Sequence, residues 1–220
     1  MVVPNAIRGE KLVREESFWS GHMGKNVIAS DLSLVDNARV PGGRSSGARD
    51  DEGVPTRKNS LIEQGRLVGS LWSTRDAAQQ IAEGRIDIAT STGSAIRSGH
   101  QSPPVSGCSN LFLTSSQKGR SYEEMLEMIE DGYIVNSVMG AHTANPTSGD
   151  FSVTTSSILR VEGGEVIGAV KQAGLSGNLA NALKDGVILG DEVRPQGSYS
   201  SGSMYLPVSY THLTLPTNKA

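Results

Sequence analysis

Residues 151–170, FSVTTSSILRVEGGEVIGAV, contain two strand patterns separated by a double glycine. The runs 151–161 and 165–170 are rich in β-branched and aliphatic residues, which favour extended backbone. Gly163 and Gly164 permit the positive φ angles that a tight hairpin turn requires. This stretch therefore predicts two antiparallel strands joined at residues 162–164.

Shorter segments of the same kind lie on both sides of this hairpin. Residues 58–71 predict a second hairpin, with its turn at Glu63, Gln64 and Gly65. Further strands are predicted at residues 25–36, 109–114, 133–138, 187–189 and 203–206.

Helical patterns are fewer and short. Residues 121–131 predict the longest helix, because Ser121 and Glu124 form a capping box and Gly132 follows the last apolar residue. Thr74 is expected to cap a second helix that stops at Gly84, and a third is expected at residues 178–184. Because strands outnumber helices, the predicted fold class is α+β, a mainly antiparallel, twisted and barrel-like sheet with a few short helices.

Composition excludes several classes of protein. The 220-residue chain has a net charge of -3, with acidic and basic residues interspersed, which argues against a nucleic-acid-binding protein. The N-terminal residues lack the apolar core of a signal peptide, and no apolar run is long enough to span a membrane. Cys108 is the lone cysteine, which favours the cytoplasm.

The last thirteen residues differ in character from the rest. Residues 208–217, VSYTHLTLPT, back-translate without a mismatch to a transposon-end adapter used in DNA sequencing. We therefore expect one domain at residues 1–207, and read residues 208–220 as adapter read-through that makes few native contacts.

Motifs for catalysis are weak. The chain has no His-Glu-x-x-His zinc helix, so a metal site would need distant ligands such as His100, Cys108, His142 and Asp150, and none is expected. Residues 43–47 match Gly-x-Ser-x-Gly, but they lie in a loop without the preceding strand and following helix of a nucleophile elbow. No catalytic residue is predicted in this chain.

The loop at residues 140–150, GAHTANPTSGD, is the most informative polar segment. Its composition is equally compatible with a structural turn, punctuated by Pro146 and Gly149, and with a functional surface that presents His142, Asn145 and Asp150. The residues alone leave these two interpretations open.

This loop, extended as GAHTANPTSGDFSV over residues 140–153, resembles a segment of PmbA-type (TldE-type) members of the TldD/PmbA family. The resemblance continues through residues 158–194, ILRVEGGEVIGAVKQAGLSGNLANALKDGVILGDEVR. Earlier segments at residues 50–74 and 91–113 resemble the family's aspartate–glycine hairpin and its arginine–proline–asparagine segment. The likeness covers residues 23–207, with the motifs in the family's order.

The resemblance implies the C-terminal part of a two-domain protein whose N-terminal domain is absent here. It implies a non-catalytic subunit that pairs with a TldD-type partner, which carries the zinc, in a metallopeptidase complex acting on peptides or unfolded proteins. The segment GSYSSGSMYLP at residues 197–207 has no cysteine, which resembles the PmbA type rather than TldD. The alternative is a regulatory or binding module of the gyrase-modulator type.

The same resemblance places the expected binding surface. Five residues are expected to contact the peptide or the partner subunit, in a groove beside an open strand edge: Arg97, Asn110, His142, Asn145 and Asp150. No cofactor is expected in this chain itself.

Overall fold

The computed structural model describes residues 2–196, 199–207 and 212–214. These residues form two large open sheets and two small strand pairs, with short helices against them. The α-helices are α1 (Val3–Ala6), α2 (Gly9–Val13), α3 (Thr74–Ala82), α4 (Tyr122–Glu127) and α5 (Leu179–Ala182). The strands are β1 (Leu32–Asn37), β2 (Lys58–Glu63), β3 (Arg66–Leu67), β4 (Ala95–Ile96), β5 (Val105–Ser106), β6 (Leu111–Ser115), β7 (Asp131–Met139), β8 (Asp150–Glu162), β9 (Glu165–Val170), β10 (Ala173–Asn178), β11 (Ile188–Leu189), β12 (Arg194–Gln196), β13 (Tyr199–Ser201), β14 (Met204–Tyr205) and β15 (His212–Thr214).

The first sheet has six strands in the order β12-β13-β6-β1-β2-β3. All of its neighbours are antiparallel except β13 and β6. Strand β1 lies inside the sheet and alternates buried and half-buried residues, with Leu32 and Leu34 in the core. The predicted turn at residues 63–65 connects β2 to β3, and Leu61, Ile62 and Leu67 are fully buried there.

The second sheet is organised around the long strand β8. Strand β7 pairs with one side of β8. On the opposite side, β9 pairs with residues 158–162 of β8 and β10 pairs with residues 150–155. The register continues from the Ile158–Val170 pair to the Phe151–Gly177 pair, so residues 150–178 form one long hairpin interrupted at residues 171–172. The predicted hairpin is confirmed, and β10 extends it by a strand that its small residues did not indicate.

The main core lies between the first sheet and the N-terminal helices. Its buried members come from the first 35 residues, from the hairpin β2–β3 and from three later strands or loops: Ala6, Ile7, Trp19, Val27, Ile28, Ala29, Leu32, Leu34, Leu61, Ile62, Leu67, Leu71, Leu111, Val187 and Leu189. Because these side chains lie far apart in sequence, the core forms only when residues 6–71 meet residues 111 and 187–189.

The α+β class with mainly antiparallel sheets is confirmed, and in the described ranges no sheet closes into a barrel. The predicted helix at residues 121–131 is wrong in length. Its capping box is present, but α4 ends at Glu127 because Asp131 and Gly132 pair with β8. The longest described helix is instead α3, and its N-cap is Ser73 rather than Thr74.

The expectation for residues 208–220 falls largely outside the described residues. Only the backbone of β15 is described there, and it pairs antiparallel with β10. Elsewhere in the described ranges, no helix is both long and apolar enough to cross a membrane.

Candidate functional site

An apolar groove opens where the second sheet meets the N-terminal helix α1. It has a volume of about 470 Å³. The residues that line it come from α1 and its approach, from the end of β7, from the 140–150 loop, from β8 and β10, and from α5 and β13: Val2, Val3, Pro4, Val138, Ala141, Ala144, Phe151, Val153, Leu175, Leu179 and Tyr199. The predicted loop therefore borders a groove, although its lining is apolar rather than polar.

The 140–150 loop is held in shape by its own backbone and by Asn145. The Asn145 Oδ1 accepts hydrogen bonds from the amides of Thr147 (2.9 Å) and Ser148 (3.2 Å), which makes an Asx turn. The Asn145 amide donates to the carbonyl of Asp150 at 2.8 Å, and the Gly149 amide donates back to Asn145 at 2.9 Å. Asn145 is thus a residue that shapes the loop.

Asp150 ties the loop to the end of β10. Its carboxylate accepts from the Ser148 hydroxyl at 2.6 Å and from the Asn178 amide at 2.8 Å. These two hydrogen bonds hold the pKa of Asp150 below its usual range. Asp150 is therefore ionised at neutral pH and anchors the loop beside the first residue of α5.

His142 differs from Asn145 and Asp150 in having no described side-chain hydrogen bond. It lies in the short 3-10 helix Ala141–Thr143 and is exposed. Its neighbours Ala141 and Ala144 line the apolar groove. The exposed imidazole therefore remains available for an external ligand.

Arg97 and Asn110 lie in different surroundings from the loop. Asn110 is 5% exposed, and its Nδ2 donates to the Asn37 carbonyl and to the Ser46 hydroxyl. Its Oδ1 accepts from the backbone amide of Ser45, so Asn110 fixes the loop after β1. Arg97 is exposed and its backbone amide donates to Asp51 at 2.7 Å. Within the described residues, no hydrogen bond or ion pair joins either of them to His142 or Asn145, so their shared role stays a prediction.

Comparison with known proteins assigns the whole arrangement to one family. A family model described as "PmbA/TldA metallopeptidase C-terminal domain" matches residues 1–209. The chain belongs to the PmbA/TldD family. The crystal structure of TldE from Thermococcus kodakarensis matches with a TM-score of 0.78 and 28% identity, over 97% of this chain and 46% of that one.

Curated PmbA/TldD proteins match from both branches. Metalloprotease PmbA of Escherichia coli O157:H7 is 26% identical over 202 residues, 92% of this chain and 40% of the relative. A metalloprotease TldD homologue of Haemophilus influenzae is 27% identical over 176 residues, 80% of this chain and 34% of the relative. The chain thus spans less than half the length of these relatives.

The described part of this PmbA/TldD domain does not fit a zinc site. Within it, no three His, Cys, Asp or Glu side chains lie close enough to hold a metal ion, the distant set His100, Cys108, His142 and Asp150 included. Burial, together with the negative charge of Asp36, raises the pKa of the Cys108 thiol to about 11. A protonated thiol is a poor metal ligand and a poor nucleophile.

Cys108 is half-buried and lies against a residue of the groove instead. Its thiol hydrogen-bonds the hydroxyl of Tyr199, which lines the groove. Burial and the neighbouring thiol raise the pKa of Tyr199 to about 12. A groove beside this loop was predicted from the sequence, but its apolar lining and the contact between Cys108 and Tyr199 were not, because the residues involved come from segments far apart in the chain and no local pattern marks them.

Proposed function

We propose that this chain is part of a PmbA-type, non-catalytic subunit of a two-subunit metallopeptidase, in which a TldD-type partner supplies the zinc. The complex would cleave unfolded polypeptides or process precursor peptides. The observation that carries this proposal is an exposed apolar strand edge continuous with the groove and with the 140–150 loop.

The edge is strand β7, which in the described part of the second sheet pairs only with β8. Its second half exposes three large apolar side chains: Val135 is 37% exposed, Val138 42% and Met139 57%. An unpaired edge carrying apolar side chains favours association with another chain, because both backbone groups and apolar surface gain partners. This edge supports a binding role for the domain.

Strand β7 leads directly into the 140–150 loop, and both contribute residues to the groove. Met139 ends β7, Gly140 turns with a φ of 86°, and His142 follows in the 3-10 helix. Val138 and Ala141 both line the groove. An extended segment of the partner subunit added to β7 would place one of its side chains at the groove and a polar group near His142.

The PmbA type is supported by the extent of the likeness. The PmbA relative matches over 92% of this chain, against 87% and 80% for two TldD homologues. The absence of a cysteine after Cys108 points in the same direction.

Partner binding is tested by placing charge on the β7 edge. The double variant Val138→Asp/Met139→Asp is expected to weaken binding of the purified TldD-type partner at least tenfold, since a buried unpaired carboxylate costs more than about 1.4 kcal/mol. Titration calorimetry or analytical ultracentrifugation measures the change. Because both side chains are exposed, the melting temperature should stay unchanged.

The matched control replaces two exposed apolar residues outside this sheet. Ile88 and Val193 are 85% and 57% exposed, and Ile88→Asp/Val193→Asp adds the same charge. This control should bind the partner as the unmodified chain does. Equal weakening by both variants, or no binding by the unmodified chain, would contradict the proposal.

Alanine variants of His142 and Asn145 distinguish a residue that contacts the ligand from one that maintains the shape of the loop. His142→Ala is expected to reduce peptide cleavage by the reconstituted complex several-fold while leaving the melting temperature unchanged, because its side chain has no described partner. Asn145→Ala should also lower the free energy of unfolding by about 1 kcal/mol, since two loop amides lose their acceptor. Cleavage kinetics and thermal unfolding measure both. Full activity of the His142→Ala complex would remove His142 from the site.

Zinc content and gyrase activity address the other possibilities. One equivalent of zinc in the purified full-length subunit alone would overturn the non-catalytic assignment. A change in DNA supercoiling by gyrase, in the absence of any partner binding, would favour the regulatory module instead.

A further inference from the structure

Residues 38–58 and 91–97 form one connected surface, which we call the arginine surface. Backbone hydrogen bonds join its parts: the Gly47 amide to Ala38, the Thr56 amide to Ala48, and the Asp51 amide to Ala95, at 3.1, 3.1 and 3.2 Å. It carries six exposed basic side chains, which are Arg39, Arg44, Arg49, Arg57, Lys58 and Arg97. Such a concentration contrasts with the net charge of -3 for the whole chain.

These basic side chains have no ion-pair partners in the part of the chain that the structure describes. Elsewhere arginines do pair, as in Arg8 with Glu10 at 2.6 Å and Arg160 with Asp131 at 2.5 Å. On the arginine surface, Arg49 donates to the Gly53 carbonyl at 2.6 Å, and Arg39 and Arg57 likewise bond only backbone carbonyls. In the described ranges, their positive charges are therefore not engaged in ion pairs with carboxylates.

The three carboxylates within this surface serve the backbone. Asp50 accepts from the amides of Glu52, Val54 and Ala95 at 2.9 to 3.0 Å. Asp51 accepts from the Arg97 amide, and Glu52 accepts from two amides at the start of α3. The acidic groups thus fix the shape of the loops, while the guanidinium groups remain at the surface.

From this arrangement we propose that the arginine surface binds an acidic segment of a polypeptide. Guanidinium groups pair with carboxylates through two parallel hydrogen bonds, so several exposed arginines in one connected set of loops suit a run of Asp and Glu. A nucleic acid fits less well, because residues 38–58 and 91–97 contain no aromatic side chain on which a base could stack. This binding is separate from the β7 edge and does not depend on the proposed peptidase role.

The test uses a fluorescently labelled peptide that consists of six Glu-Gly repeats, and its binding is measured by fluorescence anisotropy. The variant Arg44→Glu/Arg97→Glu changes two guanidinium groups that make no described hydrogen bond, so folding should be preserved. We expect Kd to rise at least tenfold in this variant. Raising the salt from low to high concentration should also weaken binding to the unmodified chain, because the interaction is between exposed charges.

The matched control is Lys25→Glu/Arg66→Glu, which makes the same charge change at two exposed residues outside the arginine surface. It should bind the peptide like the unmodified chain. Equal weakening by both variants would mean a general charge effect and would overturn the proposal, as would unchanged binding by Arg44→Glu/Arg97→Glu. Tighter binding of single-stranded DNA with the same number of charges would also overturn it, in favour of a phosphate partner.

Discussion

Replacing Gly65 by alanine is expected to lower the free energy of unfolding by about 3 to 5 kcal/mol. Gly65 turns the hairpin between β2 and β3 with a φ of 81°, which L-residues rarely adopt. A Cβ at this position would also lie 2.7 Å from the Ile28 carbonyl oxygen and 2.9 Å from the Ser30 Cα. Because both neighbours are backbone atoms, they cannot move aside without disturbing the core.

Gly53 provides the control for this prediction. Its φ is also 81°, but no atom lies within 4 Å of a Cβ placed there. Gly53→Ala should therefore cost only the backbone strain, about 1 kcal/mol. Chemical denaturation of the two variants measures the difference, which reports the close approach of residues 28–30 to the hairpin. Equal losses in the two variants would refute the steric explanation.

Replacing Asp36 by asparagine is expected to change stability in a pH-dependent way. Asp36 is fully buried in β1, and burial raises its pKa to about 6, although hydrogen bonds from Ser109 oppose this. The Ser109 amide and hydroxyl both donate to Oδ1, at 2.6 and 2.9 Å. Asp36 Oδ2 has no described hydrogen-bond partner, and the side chain of Asn59, opposite Asp36 in register, lowers the pKa less than Ser109 does.

The pH dependence of the free energy of unfolding follows from the rise in the pKa of Asp36 on folding. The folded state holds the Asp36 proton more tightly than the unfolded chain does, so the group contributes most to stability below about pH 4. That contribution is lost as pH rises through about 6, where the folded carboxyl ionises. A carboxyl whose pKa rises from about 4 in the unfolded chain to about 6 in the folded one destabilises the fold by about 3 kcal/mol at neutral pH, relative to acid.

Asparagine keeps the Oδ1 acceptor for Ser109 but cannot ionise. The stability of Asp36→Asn relative to the unmodified chain should therefore rise by roughly 2 kcal/mol between pH 4 and pH 8, because part of the effect of about 3 kcal/mol is already present at pH 4. Urea denaturation at several pH values measures this difference. Asp87→Asn, at an exposed position, is the control and should show no such trend. A difference that stays constant with pH would show that the buried carboxylate is not the cause.

Local patterns predicted several elements correctly. The turns at Gly163–Gly164 and at Gly65 have the positive φ angles that the glycines indicate, and strands follow on both sides. The capping box of Ser121 and Glu124 is also present. These features depend on interactions within a few residues, so the local sequence contains the information for them.

Where local preference competed with strand pairing, the prediction failed. Residues 128–131 favour continuing α4, yet Asp131 begins β7 because a nine-residue strand can pair there with β8. Conversely β10, with the sequence AGLSGN, has weak strand preference and is extended because β8 offers it backbone partners. The hydrogen bonds of a neighbouring strand outweigh a propensity difference of a few tenths of a kcal/mol per residue.

In the candidate site, too, some features could be predicted from the local sequence and others depend on tertiary contacts. The loop at residues 140–150 could be singled out from its polar residues, but sequence could not tell that Asn145 shapes the loop, that Asp150 anchors it and that His142 has no described partner. Likewise, sequence did not show that the loop borders an apolar groove, or that Asn110 lies buried beside residues 37–46.

By itself, then, the sequence determined the α+β class, the two main hairpins, the family and the loop that carries the candidate site. Only the tertiary structure decided that β7 is the open edge among the described strands, that the groove beside α1 is apolar and that Asp36 is buried. It also decided that arginines without a described ion pair lie in one connected set of loops. Turns and caps arise from contacts between near neighbours in the chain. Grooves, burial and charge surfaces arise from segments that meet across the core, such as β1 with β6, about 75 residues apart, so that pairing across the whole domain decides them.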